Sequence, residues 1–293
     1  HKKGFDVNYI GSALAAAKQA INTDQERNVV LRFTGVRSYP LIEATFHSLR
    51  GIMEPLWESL DAAGLLSATL FAASKTGPSS AYIRSALHIP ESRALDLPPA
   101  HARWTLENIT MHLPEPDHCA ELFPPKQEML EDELKAVPAL AKYHQALADQ
   151  LLAVIEKASG GVLVLFTAYR ELHGVAELLK EKKLGDRLIV QSPGDTTQAM
   201  RARFLALNQP GIWLGTGASW TGLDLTAGDK EPGQDKTLTD LVVTRLPAGQ
   251  EDFGIVAAKL RAMPSLVRVF LDFRLRQGIG RIVRHPEHTD RNV

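Results

Sequence analysis

Arg281 and Arg284 lie three residues apart in the run RQGIGRIVRH, and the surrounding residues predict a helix on which they share one face. A guanidinium keeps its charge at physiological pH and presents a fork of donors that matches phosphate oxygens. A pair of them therefore suits stabilisation of a transferring phosphoryl group. Gly278 and Gly280, just upstream, would leave room for close approach of a backbone or a ligand. The plainer reading of the same residues is a solvated basic helix end with a local kink. A second set of chemistry-bearing residues follows four apolar runs: TAYR, SPGDTT, TGASWTGLDLTAG and PAGQ are rich in small and hydroxyl side chains. Such loops let backbone N–H groups and hydroxyl donors approach a phosphate.

Other constellations are weaker. The single cysteine, Cys119, excludes an internal disulfide and a four-cysteine metal site within these 293 residues. His118 with Cys119, and His285 with His288, offer two ligands each, which fits packing or solvent exposure better than a metal, and no metal site is expected. The Lys75–Thr76 pair lacks the preceding glycine of a phosphate loop, and EDEL at Glu131 reads as a solvated helix start rather than a strand-end acid pair. The formal net charge of −1 gives no global field toward nucleic acid or membrane, so any such surface must come from local segregation of charge. Cations do gather near the end of the chain, at Lys259, Arg261, Arg268, Arg274 and Arg276 beside the arginine pair. No apolar run reaches bilayer length and no secretory signal is visible, which predicts a cytoplasmic protein.

The elements that must hold these residues follow from hydrophobic periodicity. VNYIGSALAAAKQAIN predicts a helix, NVVLRFTGV a strand, RSYP a turn, and GLLSATLFA, Gly64 to Ala72, a buried strand with a functional loop at its end. Residues 92–138 are rich in Pro, Glu and Asp and read as a connector. Beyond Pro138 a helix leads into VLVLF, then a helix over 168–183, RLIVQ, the helix TTQAMRARFLAL, GIWLG and LTDLVVTRL, with a final helical region over 254–284. Continuous apolar strands alternating with helices imply βαβ units and a parallel sheet covered on both faces, an α/β fold. In such sheets ligands bind beyond the carboxyl ends of the strands, which is where the four polar loops fall.

QGIGRIVR resembles motif VI of the XPD/DinG-like branch of superfamily 2 helicases, Gln-Gly-x-Gly-Arg-x-x-Arg. WTGLD is similar to motif V, with Trp220, Gly222 and Asp224 in place and Thr221 where relatives commonly carry Glu. VLVLFTAYREL resembles motif IV, DLVVTRLP the strand after motif V, LLSATL motif III, and SYPLIEATFHSLRG the segment before it. A narrower resemblance is to the DinG helicases associated with type IV CRISPR systems. The likeness implies a RecA-like parallel sheet flanked by helices, accompanied by part of a first motor domain. It places the remnant of motor domain 1 and the end of an arch-like insertion at 1–95, a connector at 96–137 and motor domain 2 at 138–293. The implied activity is ATP-dependent unwinding of DNA by 5′ to 3′ movement on single strands, with ATP and Mg²⁺ as cofactors. The implied partners are single-stranded DNA and a type IV CRISPR ribonucleoprotein.

Under that resemblance Arg281, Arg284 and Gln277 are catalytic, and Gly280, Gly222 and Asp224 line the nucleotide. Thr167, Tyr169, Ser192 and Trp220 contact DNA, while Ser67 and Thr69 couple the two sites. A complete motor also needs a Gly-rich loop with Lys and an Asp-Glu pair, neither of which these residues carry, so a piece of a longer protein is expected. The rival from another class is a non-catalytic nucleic-acid-binding or scaffold module with a helicase-like fold. An unrelated phosphate-binding enzyme would require the motif series to be coincidence.

Overall fold

A computed structural model describes residues 29–36, 39–46, 50–67, 69–99, 107–115, 120–131, 133–182, 184–220, 224–225, 235–247 and 265–293. The predicted opening helix and the pair His118–Cys119 lie outside these residues. The chain divides into two compact units, His1–Pro99 with Ala248–Phe270, and Ala100–Pro247 with Leu271–Val293.

In the first unit β1 (Val29–Val36) and β2 (Tyr39–Phe46) pair antiparallel, with Val36 opposite Tyr39, so Tyr39 and Pro40 of the predicted turn RSYP belong to β2. Helix α1 (Arg50–Ser59) follows, with Pro55 inside it. The run 64–72 corrects the sequence reading: its described residues 64–67 and 69–71 form no strand, and Leu66 is 98% exposed. A strand needs a neighbour to take its backbone N–H and C=O groups, and no described strand lies alongside this run. Pairing begins only at β3 (Ala72–Ser74), which turns back into β4 (Gly77–Ser79). The Lys75–Thr76 pair is the tip of that hairpin, where Ser74 Oγ donates to the Gly77 carbonyl at 2.6 Å. Ser80, just before helix α2 (Ala81–Ala86), donates its Oγ–H to Asp96 at 2.6 Å.

The second unit is an α/β domain. Its six strands run in the order β5 (Ile109–Thr110), β10 (Arg291–Asn292), β9 (Asp240–Val243), β6 (Val162–Leu165), β8 (Ile212–Gly215) and β7 (Leu188–Val190), and all pairings are parallel. Alternation along β6 divides the core. Val162, Val164 and Phe166 face one layer and Leu163 and Leu165 the other, all fully buried. The first layer is closed by the apolar stripes Leu147, Leu151, Ile155 and Leu172, Val175, Leu179 on the two helices that flank β6. The second is filled by Met200, Phe204, Trp213, Trp220, Ile282 and Val283. Gly160 and Gly161 allow the chain entering β6 to touch the loop before β9, since a Cβ at Gly161 would sit 1.9 Å from the Thr237 carbonyl oxygen.

After the short helix α3 (Gln127–Leu130), helix α4 (Glu133–Lys157) opens ten residues before the predicted helical run YHQALADQLLAVIEKA, which starts at Tyr143, and carries Pro138 within it. Helices α5 (Tyr169–Lys180) and α6 (Thr197–Leu205) fall where periodicity placed them, α6 capped by Thr196 Oγ1 accepting from Ala199 N–H at 3.2 Å. Two parts of the unit were not read from sequence. The connector contributes an edge strand, β5, and β10 inserts between β5 and β9. Helix α7 (Ser265–Ile279) stops before both arginines, which corrects the expectation that they share a helix face.

Candidate functional site

Arg281 and Arg284 occupy the turn between α7 and β10. Gly280 N–H still bonds to Arg276 at 2.9 Å, and Arg281 N–H and Ile282 N–H reach back only three residues, to Gly278 and Ile279, at 3.0 and 3.1 Å. This tightening ends the helix. Ile282 and Val283, buried in the core, pin the backbone between the two arginines, leaving Arg281 half-buried and Arg284 exposed. Gly278 has a packing role rather than a ligand-facing one, since a Cβ there would stand 3.3 Å from Leu165 and from the Trp220 ring. Gln277 lies in the last turn of α7, and Arg276 is engaged on the same helix by Asp272 at 2.9 Å.

Asp224, from the loop after β8, belongs to the same cluster. Burial lowers the Arg281 pKa, the neighbouring Arg284 lowers it further, and Asp224 opposes both. The backbone carbonyl of Asp224 accepts from Arg201 Nε, which ties this loop to α6. A partly desolvated guanidinium beside a second one is a setting that suits an anion. Gly222 and Thr221 lie outside the described residues.

A second polar assembly sits at the strand ends. The Thr167 hydroxyl oxygen, just beyond β6, accepts from Arg245 Nε at 3.1 Å and from Arg245 Nη2 at 2.7 Å. Arg245 Nη1 also meets the buried carboxylate of Glu171 at 3.2 Å. Burial raises the Glu171 pKa, against the opposing charges of Arg245 and Arg170. With both lone pairs of Thr167 taken by the guanidinium, its O–H remains as a donor, which fits an acceptor-only group such as a phosphate oxygen. Behind Glu171, the Tyr143 hydroxyl is buried without a hydrogen-bond partner and its pKa is pushed up to about 12, first by burial and then by Glu171.

Gln191 joins three loops. Its Oε1 accepts from Thr216 N–H and from Ser219 Oγ, both at 2.8 Å, and its Nε2 donates to the Tyr169 hydroxyl at 3.2 Å. Tyr169, the first residue of α5, stacks on His173 with ring centroids 5.8 Å apart. Ser192 is exposed, but its backbone N–H is already held by the Asp195 carboxylate at 2.8 Å. Trp220 corrects the expectation of a DNA or adenine contact: it is 5% exposed and its indole donates to the Phe166 carbonyl at 2.8 Å, making it a core residue. Ser67 and Thr69 lie in the first unit with their hydroxyls 3.2 Å apart.

Residues 151–291 match the family model described as the helicase C-terminal domain. Over this stretch the chain is similar to the XPD/DinG-like helicases. A curated relative, the ATP-dependent DNA helicase YoaA of Haemophilus influenzae, is 26% identical over 161 residues. That alignment takes in 50% of this chain and 22% of the relative, so the chain spans about a fifth of that helicase's length. A solved structure titled XPD helicase aligns with 52% of this chain and 27% of its own at 17% identity and a TM-score of 0.38, too partial an overlap to add to the argument.

In the second unit sequence reasoning missed Arg245, Glu171 and Gln191. Each had a visible signal: Arg245 and Gln191 are polar residues directly beyond buried strands, and Glu171 is an acid on the apolar face of α5. Nothing in the motif series assigned them a role. Among the described residues no group of three or more His, Cys, Asp and Glu could hold a metal ion, and no helix is long and apolar enough to cross a membrane.

Proposed function

We propose that the second unit serves as a motor domain of an ATP-dependent DNA helicase that moves 5′ to 3′ along single-stranded DNA. The observation that supports this reading is that Arg281, half-buried on the turn after α7, feels the charges of both Arg284 beside it and Asp224 from a separate motif. Such a setting fits a polyphosphate: Arg281 and Arg284 would hold the terminal phosphate of ATP and stabilise the charge that spreads over it during transfer. Gln277, Gly280, Gly222 and Asp224 would shape the wall around it. The phosphate cradle and the Mg²⁺ ligands fall to other parts of the whole protein, where the metal ion supplies the remaining charge neutralisation.

Thr167, oriented as a donor by Arg245, would take a DNA phosphate, with Tyr169 and Ser192 beside it. Contacts of this kind ignore base identity, as a translocating enzyme requires. Ser67 and Thr69 would link nucleotide state to DNA grip. The 5′ to 3′ polarity and partnership with a type IV CRISPR ribonucleoprotein rest on the motif resemblance alone. The decisive experiment is ssDNA-stimulated ATP hydrolysis by the intact protein and its Arg281→Ala and Arg284→Ala variants. A fall of roughly a thousandfold or more in kcat with DNA binding retained is expected, whereas unchanged turnover would remove the role given to the arginines.

A further inference from the structure

We infer that His288 is a positioning residue for the arginine pair, clamping the turn that carries it and doing so only while the imidazole is neutral. The inference rests on the assignment of Arg281 and Arg284 to a nucleotide phosphate. Its geometry is a closed loop: Arg284 N–H donates to His288 Nδ1 at 3.2 Å, and His288 N–H donates back to the His285 carbonyl at 3.0 Å. The first bond ties the imidazole to the backbone of one of the two arginines. His288 itself is only 4% exposed, so water is poorly placed to replace it as the acceptor for that N–H.

An Nδ1 that accepts must carry no proton, which places the proton of the neutral ring on Nε2. Protonation would put an N–H opposite the Arg284 N–H, removing the acceptor and adding a cation near Arg291. The groups facing His288 come from every side of the site: Arg291 on β10, Asp235 ahead of β9, His285 on its own turn and Asp224 after β8. Burial and Arg291 hold its pKa below the ordinary histidine value, against the pull of Asp235 and Asp224. The clamp is therefore closed at neutral pH and opens as the solution is acidified below that value.

The test uses the intact protein as wild type, H288A and H288N, the last because an asparagine oxygen can occupy the acceptor position without titrating. ATP hydrolysis with saturating ssDNA is followed across the pH range around the histidine pKa, alongside amide hydrogen exchange at Arg284 and thermal unfolding. Wild-type turnover should decline on acidification together with protection of the Arg284 amide. H288A should lose about tenfold to a hundredfold in kcat throughout, with ssDNA affinity retained. H288N should restore both turnover and protection and show no such acid limb. An acid limb that persists in H288N, or wild-type Arg284 protection in H288A, overturns the clamp. Loss of turnover in Arg281→Ala and Arg284→Ala with wild-type turnover in H288A also overturns it while sparing the nucleotide reading. Indifference of turnover to the two arginine variants removes that reading instead.

Discussion

Replacing Gln191 by Leu keeps approximate volume and removes every hydrogen bond of the junction. Two buried donors then lose their acceptor, the Thr216 N–H and the Ser219 O–H, in residues 4% and 1% exposed. A stranded buried donor costs about 1–3 kcal/mol. The Ser219 hydroxyl can rotate whereas the Thr216 amide cannot, so the total should be about 2–4 kcal/mol. Ser219→Ala in the native background loses one bond but leaves Gln191 Oε1 satisfied by Thr216, a cost of about 1 kcal/mol. Combining the two should cost no more than Gln191→Leu alone, because alanine removes the donor that leucine stranded. The coupling is then about 1 kcal/mol, outside the few tenths within which independent sites add. Urea unfolding of the four proteins, followed by far-UV circular dichroism with equal m-values, measures it. Additivity, or an unchanged midpoint for Gln191→Leu, would refute the idea that Gln191 joins the strand-end loops.

Thr167→Val should weaken ssDNA binding several-fold with little change in its salt slope, since a hydroxyl contact releases no counterion, and Thr167→Ser should recover most of the loss. Equal affinities in a fluorescence-anisotropy titration would sink the donor assignment. Tyr143→Phe removes a buried hydroxyl that has no hydrogen-bond partner, so neutral-pH stability should stay level or rise by about 1 kcal/mol. The alkaline side provides a sign check. A tyrosine whose pKa is raised from 10.0 to about 12 on folding contributes stability that is full below pH 10 and lost as pH climbs toward 12. Thermal unfolding across that window should therefore fall less steeply for Tyr143→Phe than for wild type.

The second unit was legible where local pattern and tertiary burial agree. VLVL, LIV and IWLG are continuous apolar runs because both faces of the sheet are covered, and the intervening helices carry single apolar stripes. GLLSATLFA has the same composition, yet a run becomes a strand only beside a partner, and sequence carries no sign that one is absent. The edge strand β5 was invisible for the converse reason: two residues have no periodicity, and only β10 makes them a strand. At the candidate site, the motif series named Asp224 and the arginines, but it placed the arginines on a helix that ends at Ile279. Trp220 went astray because a loop aromatic is read as exposed, whereas the carbonyl of Phe166 and the close approach of Gly278 draw this one into the core.

The order of strands also sets when the domain can mature. Ile109 pairs with Arg291, so almost the entire second unit intervenes between the two partners, and the chain between them includes every other strand of the sheet. Until β10 arrives, the open flank of β9 is an exposed template and β5 has nothing to bind. The last stretch of ladder to zip is also the one immediately beyond the arginine turn. On a ribosome, the turn that carries Arg281 and Arg284 and the closing of the sheet would thus be acquired in a single late event, and a lesion in β10 would leave a nascent chain with an unpaired β9 edge.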